Sequence, residues 1–306
     1  MNNKNHNAKI ILSGIIVLVV FGVFFWIQLM PKLSSNKMIK EIFWTSKLIN
    51  NPVYDVLILG DSRVYRGLNP SVIETQLDNQ YQCFNYGFSS VGLDSFYLNN
   101  AIKKLNPNGK KTLLIGVSVN SFYPQALKNE HLRELSSESP KNMWVKKHIY
   151  PYLTDFSAYS FSDFLGFKTG KQYFETFNIN SGFVWSCNFP IDTNSAVYTY
   201  QNYFKAHQID TFAVKNFVQQ LQILKNQQFK IVLMRIPASY SMFQIEDKAS
   251  GFLINQLKQQ AQNLGIHWIE STPSSFTYDG SHLIDKATNK LSQDVGIQLK
   301  TILNQP

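Results

Sequence analysis

A serine near one end of the chain and an aspartate and histidine near the other have the types and local spacing that serine-based acyl chemistry requires. An apolar run from Val53 to Leu59 stops at Gly60-Asp61-Ser62, and a tight Asp279-Gly280-Ser281-His282 stretch follows the last apolar run of strand length. A serine hydroxyl is a poor nucleophile at neutral pH unless a base removes its proton. His282 is the candidate base, because Asp279 three residues upstream can hold the imidazole Nδ1–H and leave Nε2 to face Ser62. His6, His131, His148, His207 and His267 lack such a neighbourhood, and we assign them no role. The backbone N–H groups of Ser62 and Gly87 and the side-chain amide of Asn120 are candidate donors to a developing oxyanion. Arg63 and Arg66 lie just after the nucleophile and are candidate substrate-binding residues for an anionic group, with surface solvation or a structural ion pair as the alternative fate of either. No His/Cys cluster has metal-ligand spacing, and no cofactor is expected.

The elements that must position these residues follow from periodicity. Apolar runs at about Val53–Leu59, Tyr81–Asn85, Thr112–Val119, Phe229–Met234 and Ile266–Ile269 predict five strands. Helical patterns alternate with them over much of the chain, with Asn69-Pro70 and Asp210 as helix starts. Alternation of this kind predicts an α/β fold, a three-layer α/β/α sandwich around a five-stranded parallel sheet in flavodoxin-like order 2-1-3-4-5. That order sets the ends of strands one and three side by side, which brings Ser62 and Asn120 together, with Gly87 after strand two on one flank and His282 beyond strand five. From about 121 to 209 the alternation is lost and aromatic residues crowd in, among them Trp144, Tyr150, Tyr152, Phe161, Phe164, Phe167, Tyr173 and Trp185. A structureless loop of this length is improbable inside a compact domain, so an insertion or cap with helices of its own is expected. It serves either as a lid beside the site or as a packing element.

The four stretches Gly60-Asp61-Ser62, Asn85-Tyr86-Gly87, Val117-Ser118-Val119-Asn120 and Asp279-Gly280-Ser281-His282 resemble the blocks of the SGNH (GDSL-like) hydrolase superfamily, from about Val53 to the C-terminus. The asparagine block departs from the more usual Gly-x-Asn-Asp. The resemblance implies a serine esterase or O-acyltransferase working through an acyl-Ser62 intermediate on a cell-envelope polysaccharide or related polymer. The architecture is similar to that of anchored proteins that accompany membrane-bound O-acyltransferases, which implies such a partner and an outward-facing domain. A catalytically silent scaffold that binds a glycan or that partner is the competing expectation.

The chain has 306 residues, 44% hydrophobic and 16% charged, enough for a sizeable core. Its net charge of +9 comes from scattered lysines without a long basic run, which suits an anionic surface or substrate and speaks against nucleic acid. Ile10–Met30 is apolar apart from Ser13 and Gln28, long enough to cross roughly 30 Å of hydrocarbon. It predicts a single-pass anchor over residues 10–30, with a tail and anchor at 1–31, a connecting helix at 32–52 and the catalytic domain at 53–306; the resemblance implies that the membrane is a bacterial cytoplasmic membrane and that the domain lies outside the cytoplasm. A cleaved signal peptide is the alternative, but no small-x-small site follows Met30. Lysines on both sides of the run leave the positive-inside rule undecided. Two cysteines, Cys83 and Cys187, leave a disulfide open.

Overall fold

The computed structural model describes residues 3–29, 37–49, 53–157 and 172–305. Five parallel strands form the central sheet: β1 (Val56–Leu59), β2 (Cys83–Asn85), β3 (Thr112–Val117), β6 (Lys230–Arg235) and β7 (His267–Ile269). Val56 pairs with Cys83 on one side and Thr112 on the other, Thr112 pairs with Lys230, and Val232 pairs with His267. All residues of β1, β2 and β3 are buried, as expected for a parallel sheet covered on both faces. Alternate side chains divide between two cores. Leu57, Leu59, Leu113, Ile115 and Leu233 meet α5 (Ser95–Ile102), α11 (Thr211–Asn226) and α13 (Leu253–Asn263). Val56, Ile58, Leu114, Val232 and Met234 meet α4 (Pro70–Gln76) and the last helix, α14 (Asp285–Leu303). The fold is thus a three-layer α/β sandwich. Its helices start where side-chain caps are available: Asn69 accepts from Ser71 N ahead of Pro70, and Asp210 accepts from Phe212 N and Ala213 N.

The expected strand list is corrected by the insertion. Seven strands lie among the described residues, so the sheet, counted along the chain, runs β2-β1-β3-β6-β7 instead of 2-1-3-4-5, while the five expected strands keep their expected places beside one another. The difference is β4 (Gln172–Asn178) and β5 (Phe183–Phe189), an antiparallel pair that falls within the insertion and stands apart from the main sheet. Gly182, at φ +71°, closes their turn against the Asn85 carbonyl, where a Cβ would sit 2.1 Å from the oxygen. The insertion also carries short helices, including α8 (Pro140–His148), α9 (Tyr150–Ser157) and α10 (Ser195–Ala206). Phe161, Phe164 and Phe167 lie outside the described residues.

Two helices precede the sheet. Helix α1 spans Asn3–Leu29 and exposes apolar side chains from Ile11 to Val23, with Leu18 at 73%. Among the described residues no helix is long and apolar enough to cross a membrane. The single-pass anchor expected over residues 10–30 is not found among the described residues, and the side chains of residues 10, 24, 25 and 27–30 lie outside them. Helix α2 (Lys37–Ile49), expected only to connect, packs into the domain with Phe43 and Lys47 buried. Cys83 in β2 and Cys187 in β5 are both free thiols.

Candidate active site

Ser62 stands at the exit of β1 because Gly60 permits a backbone angle that other residues resist. Its φ is +143°, and a Cβ there would lie 2.3 Å from Val64 Cγ2 and 2.6 Å from the Gly116 carbonyl oxygen. The buried Tyr97 hydroxyl accepts from Gly60 N at 2.8 Å and donates toward the Tyr86 carbonyl at 3.0 Å, which fixes the turn from beneath. Asp61 then caps the short helix α3 (Ser62–Gly67): its Oδ1 accepts from Arg63 N at 3.0 Å and its Oδ2 from the Ser118 hydroxyl at 2.5 Å. The second bond ties the exit of β1 to the exit of β3. Ser62 is left partly exposed at the first position of α3, where its N–H has no acceptor within the helix.

His282 reaches Ser62 from the loop between β7 and α14. Its Nε2 is 2.9 Å from Ser62 Oγ, and its Nδ1 is 2.7 Å from Asp279 Oδ2. The other oxygen of Asp279 accepts from Ser281 N and His282 N, both at 2.8 Å, so the aspartate closes the turn that carries its own partner. Gly280, at φ +92°, makes that turn possible; a Cβ there would meet the Thr193 carbonyl oxygen at 2.3 Å. The turn is sewn to its surroundings by bonds from Ala196 N to the Asp279 carbonyl and from Ser239 N to the Gly280 carbonyl, each 2.9 Å. Tyr278 stacks on the imidazole with centroids 5.6 Å apart.

Electrostatics fix the protonation states. Burial would raise the Asp279 carboxyl, but hydrogen bonds from the His282 ring and from two backbone N–H groups outweigh it and hold the carboxyl below its ordinary range. With Asp279 ionised, the Nδ1 proton is held in place. Burial lowers the His282 pKa below its ordinary 6.5, opposed by Asp279 and reinforced by Arg66 and Arg63. The imidazole is thus neutral at pH 7, and its Nε2 lone pair faces the Ser62 hydroxyl.

The remaining expected residues divide. Asn120 lies just beyond β3 in a single 3₁₀ turn (Val119–Phe122), 8% exposed, and its side chain has no hydrogen-bond partner among the described residues. Gly87 is corrected as an oxyanion donor: its N–H donates to Asn85 Oδ1 at 2.9 Å and its carbonyl accepts from Lys47 Nζ at 2.7 Å. The Asn85 amide is in turn held by the carbonyls of Val64 and Leu68, so that N–H is committed to an internal network. Arg63 is corrected as a substrate ligand. It is 2% exposed, with Nη2 2.7 Å from Glu246 Oε1 and Nε donating to the Ser281 hydroxyl at 2.9 Å. Glu246 also binds Arg235 at 3.0 Å. Arg63 therefore braces the histidine-bearing turn from the protein side.

Arg66 does face the site. Its Nη1 lies 3.3 Å from His282 Nε2 and its Nη2 3.0 Å from Glu175 Oε1 on β4. Glu175 also accepts from Tyr173 at 2.7 Å and pairs with Lys40 of α2 at 2.6 Å. These contacts hold its carboxyl below the ordinary range although burial alone would raise it. A cavity of about 510 Å³ opens beside Arg66, lined by Lys40, Trp44, Tyr65, Ser90, His131 and Glu175 among others. Sequence reading missed Lys40, Tyr173, Glu175 and Glu246. The available signal was limited to Glu175, a lone carboxylate in an aromatic run. Among the described residues no group of three or more His, Cys, Asp or Glu side chains could hold a metal ion.

No family model matches the chain, and no curated protein matches it. Several solved structures are similar to it in outline. The inhibitor-bound aryl esterase of M. smegmatis shares 9% identity over 82% of this chain and 100% of its own, with a TM-score of 0.43. A carbohydrate acetylesterase from Sinorhizobium meliloti shares 11% identity over 82% and 100%, at 0.37. A family two carbohydrate esterase from Cellvibrio japonicus shares 12% over 83% of this chain and 63% of its own, at 0.38. At such identities and scores the likenesses carry no argument about activity, which rests on the geometry above.

Proposed function

We propose that the protein is a serine esterase or O-acyltransferase that forms an acyl-Ser62 intermediate. The observation that carries this is the unbroken chain Ser62 Oγ, His282, Asp279, with links of 2.9 and 2.7 Å and a neutral, buried imidazole. In the first step His282 Nε2 takes the Ser62 proton as the oxygen attacks an ester carbonyl. The imidazolium is balanced by Asp279, and the proton then passes to the departing alcohol. Ser62 N–H and the Asn120 amide are the candidate donors to the tetrahedral oxyanion. Water or a second hydroxyl, activated by the same imidazole, then takes the acyl group from Ser62.

For the substrate we infer an acylated glycan or related envelope polymer. Support comes from the cavity beside Arg66, whose wall mixes aromatic rings with Lys40, Glu175, His131 and Ser90. Such a surface suits a polyhydroxylated ring better than an alkyl chain. We further infer attachment to a bacterial cytoplasmic membrane through residues 10–30, with the domain outside the cytoplasm and a membrane-bound O-acyltransferase as a partner. The exposed apolar side chains of α1 support the attachment.

A fluorophosphonate probe on the full-length protein tests the chemistry. It should form an adduct on Ser62 that is lost in His282→Ala. Absence of any adduct, with a small acetyl ester also left intact, would favour the silent scaffold.

A further inference from the structure

We propose that Arg66 is a positioning residue for the His282 imidazole, held in place by Glu175 of the inserted hairpin and Lys40 of α2, so that both the insertion and the helix following α1 belong to the working site. The proposal rests on the acyl-enzyme reading. Two donors share the single Nε2 lone pair: Ser62 Oγ at 2.9 Å and Arg66 Nη1 at 3.3 Å. A guanidinium does not deprotonate in proteins, so Arg66 can only donate to this nitrogen, and it disfavours the imidazolium once the proton has moved. That makes the imidazole a weaker base but a readier proton donor to the leaving alcohol.

What keeps Arg66 there lies chiefly on other elements. Its Nη2 binds Glu175 Oε1 at 3.0 Å, and Lys40 Nζ binds Glu175 Oε2 at 2.6 Å. Tyr65 and Tyr173 offer their rings at 4.9 and 5.7 Å from Cζ. The groups facing His282 are therefore Asp279 on its own turn, Arg66 and Arg63 from α3, and Tyr278 against its ring. Burial pushes the Tyr278 hydroxyl up to about 12, and the Tyr173 hydroxyl beside Arg66 is raised as well, so neither titrates near neutral pH. Glu175 affects the imidazole in two opposed ways. Its negative charge offsets that of Arg66, while its hydrogen bond holds the guanidinium against Nε2.

The opposition decides the test. Full-length protein labelled with ¹⁵N-histidine is titrated by NMR, with the His282 signals assigned by their loss in His282→Gln. Arg66→Met should move the His282 titration to higher pH. If Glu175 acts by holding Arg66, Glu175→Gln should move it in the same direction, and the double variant should match Arg66→Met alone. Lys40→Met, at a side chain 39% exposed, should give a smaller shift of the same sign and serves if Glu175→Gln does not fold. Hydrolysis of p-nitrophenyl acetate by Glu175→Gln should fall about ten-fold or more in kcat/KM, the scale of a misplaced catalytic group. A shift to lower pH, no shift, or additive effects would overturn the relay. The titration reports on the imidazole whether or not esters are cleaved. Expected shifts in a protein that cleaves no ester would refute the acyl-enzyme reading alone, and normal cleavage without shifts would refute the relay alone.

Discussion

Replacing Glu246 by glutamine separates a bracing Arg63 from a substrate-binding one. Glu246 is fully buried and meets two guanidinium groups, Arg63 at 2.7 Å and Arg235 at 3.0 Å. Glutamine keeps the volume but leaves Arg63, 2% exposed, without its counter-charge. Breaking a buried pair by removing one partner costs about 3–5 kcal/mol. Arg235 keeps Asp247 at 2.9 Å, which argues for the lower end. At about 2 °C per kcal/mol for a chain of this size, Tm should fall by about 6 °C. Arg63 also donates to Ser281 beside His282, so kcat should fall while KM changes little. Thermal melts and steady-state kinetics on one preparation provide both numbers. If Tm stays within about 2 °C of the parent protein while KM rises, Arg63 binds substrate and the bracing argument is wrong.

Ser62→Ala and His282→Ala should each abolish hydrolysis of an activated acetyl ester to a similar extent, because the pair acts as a unit; a His282→Ala enzyme that keeps most of its rate would remove the base. Asn120→Ala should lower kcat by roughly 10²- to 10³-fold, about 2.7–4 kcal/mol, with KM little changed; an unchanged kcat would remove Asn120 from the oxyanion site. The pH profile of kcat/KM follows from the lowered His282 pKa: the neutral imidazole persists below pH 6.5, so the acid limb should have its midpoint below that value, and a midpoint above it would contradict the burial argument. Protease added to intact spheroplasts should digest the domain; digestion only after lysis would contradict the outward placement.

The parts of the site that sequence made legible are those whose geometry is local. Gly60, Asp61 and Ser62 are consecutive, and the glycine is demanded by Val64 and Gly116 crowding the same turn. Asp279 closes a hydrogen-bonded turn onto His282 three residues later. Where partners come from distant segments, the same method failed in a definite direction. Arg63 reads as a candidate substrate ligand until Glu246 is brought to it by α12 (Tyr240–Ser250), which packs near α10 and α13. Gly87 reads as a free N–H until Asn85 turns its side chain back onto it, a choice dictated by the Val64 and Leu68 carbonyls that hold the other end of that amide.

The inserted hairpin was illegible for a related reason. In β4, apolar and polar residues do not alternate cleanly: Tyr173, Phe174, Thr176 and Phe177 surround a single carboxylate, Glu175. A strand that buries one face against a core shows period-two patterning. This strand instead sends Glu175 inward to meet Arg66 and Lys40, so its pattern is spoiled at the residue that ties it to the site. The same holds for α2, where Lys47 is buried with its ammonium 4.7 Å from the Phe43 ring centroid and its Nζ on the Gly87 carbonyl. Burial drives that amine's pKa well below its ordinary value. A lysine on the inner face of an amphipathic helix reads as a defect in the stripe, and α2 accordingly reads as a spacer. Both exceptions to hydrophobic patterning sit where an added element docks against α3, Lys47 over Tyr65 and Glu175 on Arg66, and strict patterning is most often given up where function requires it.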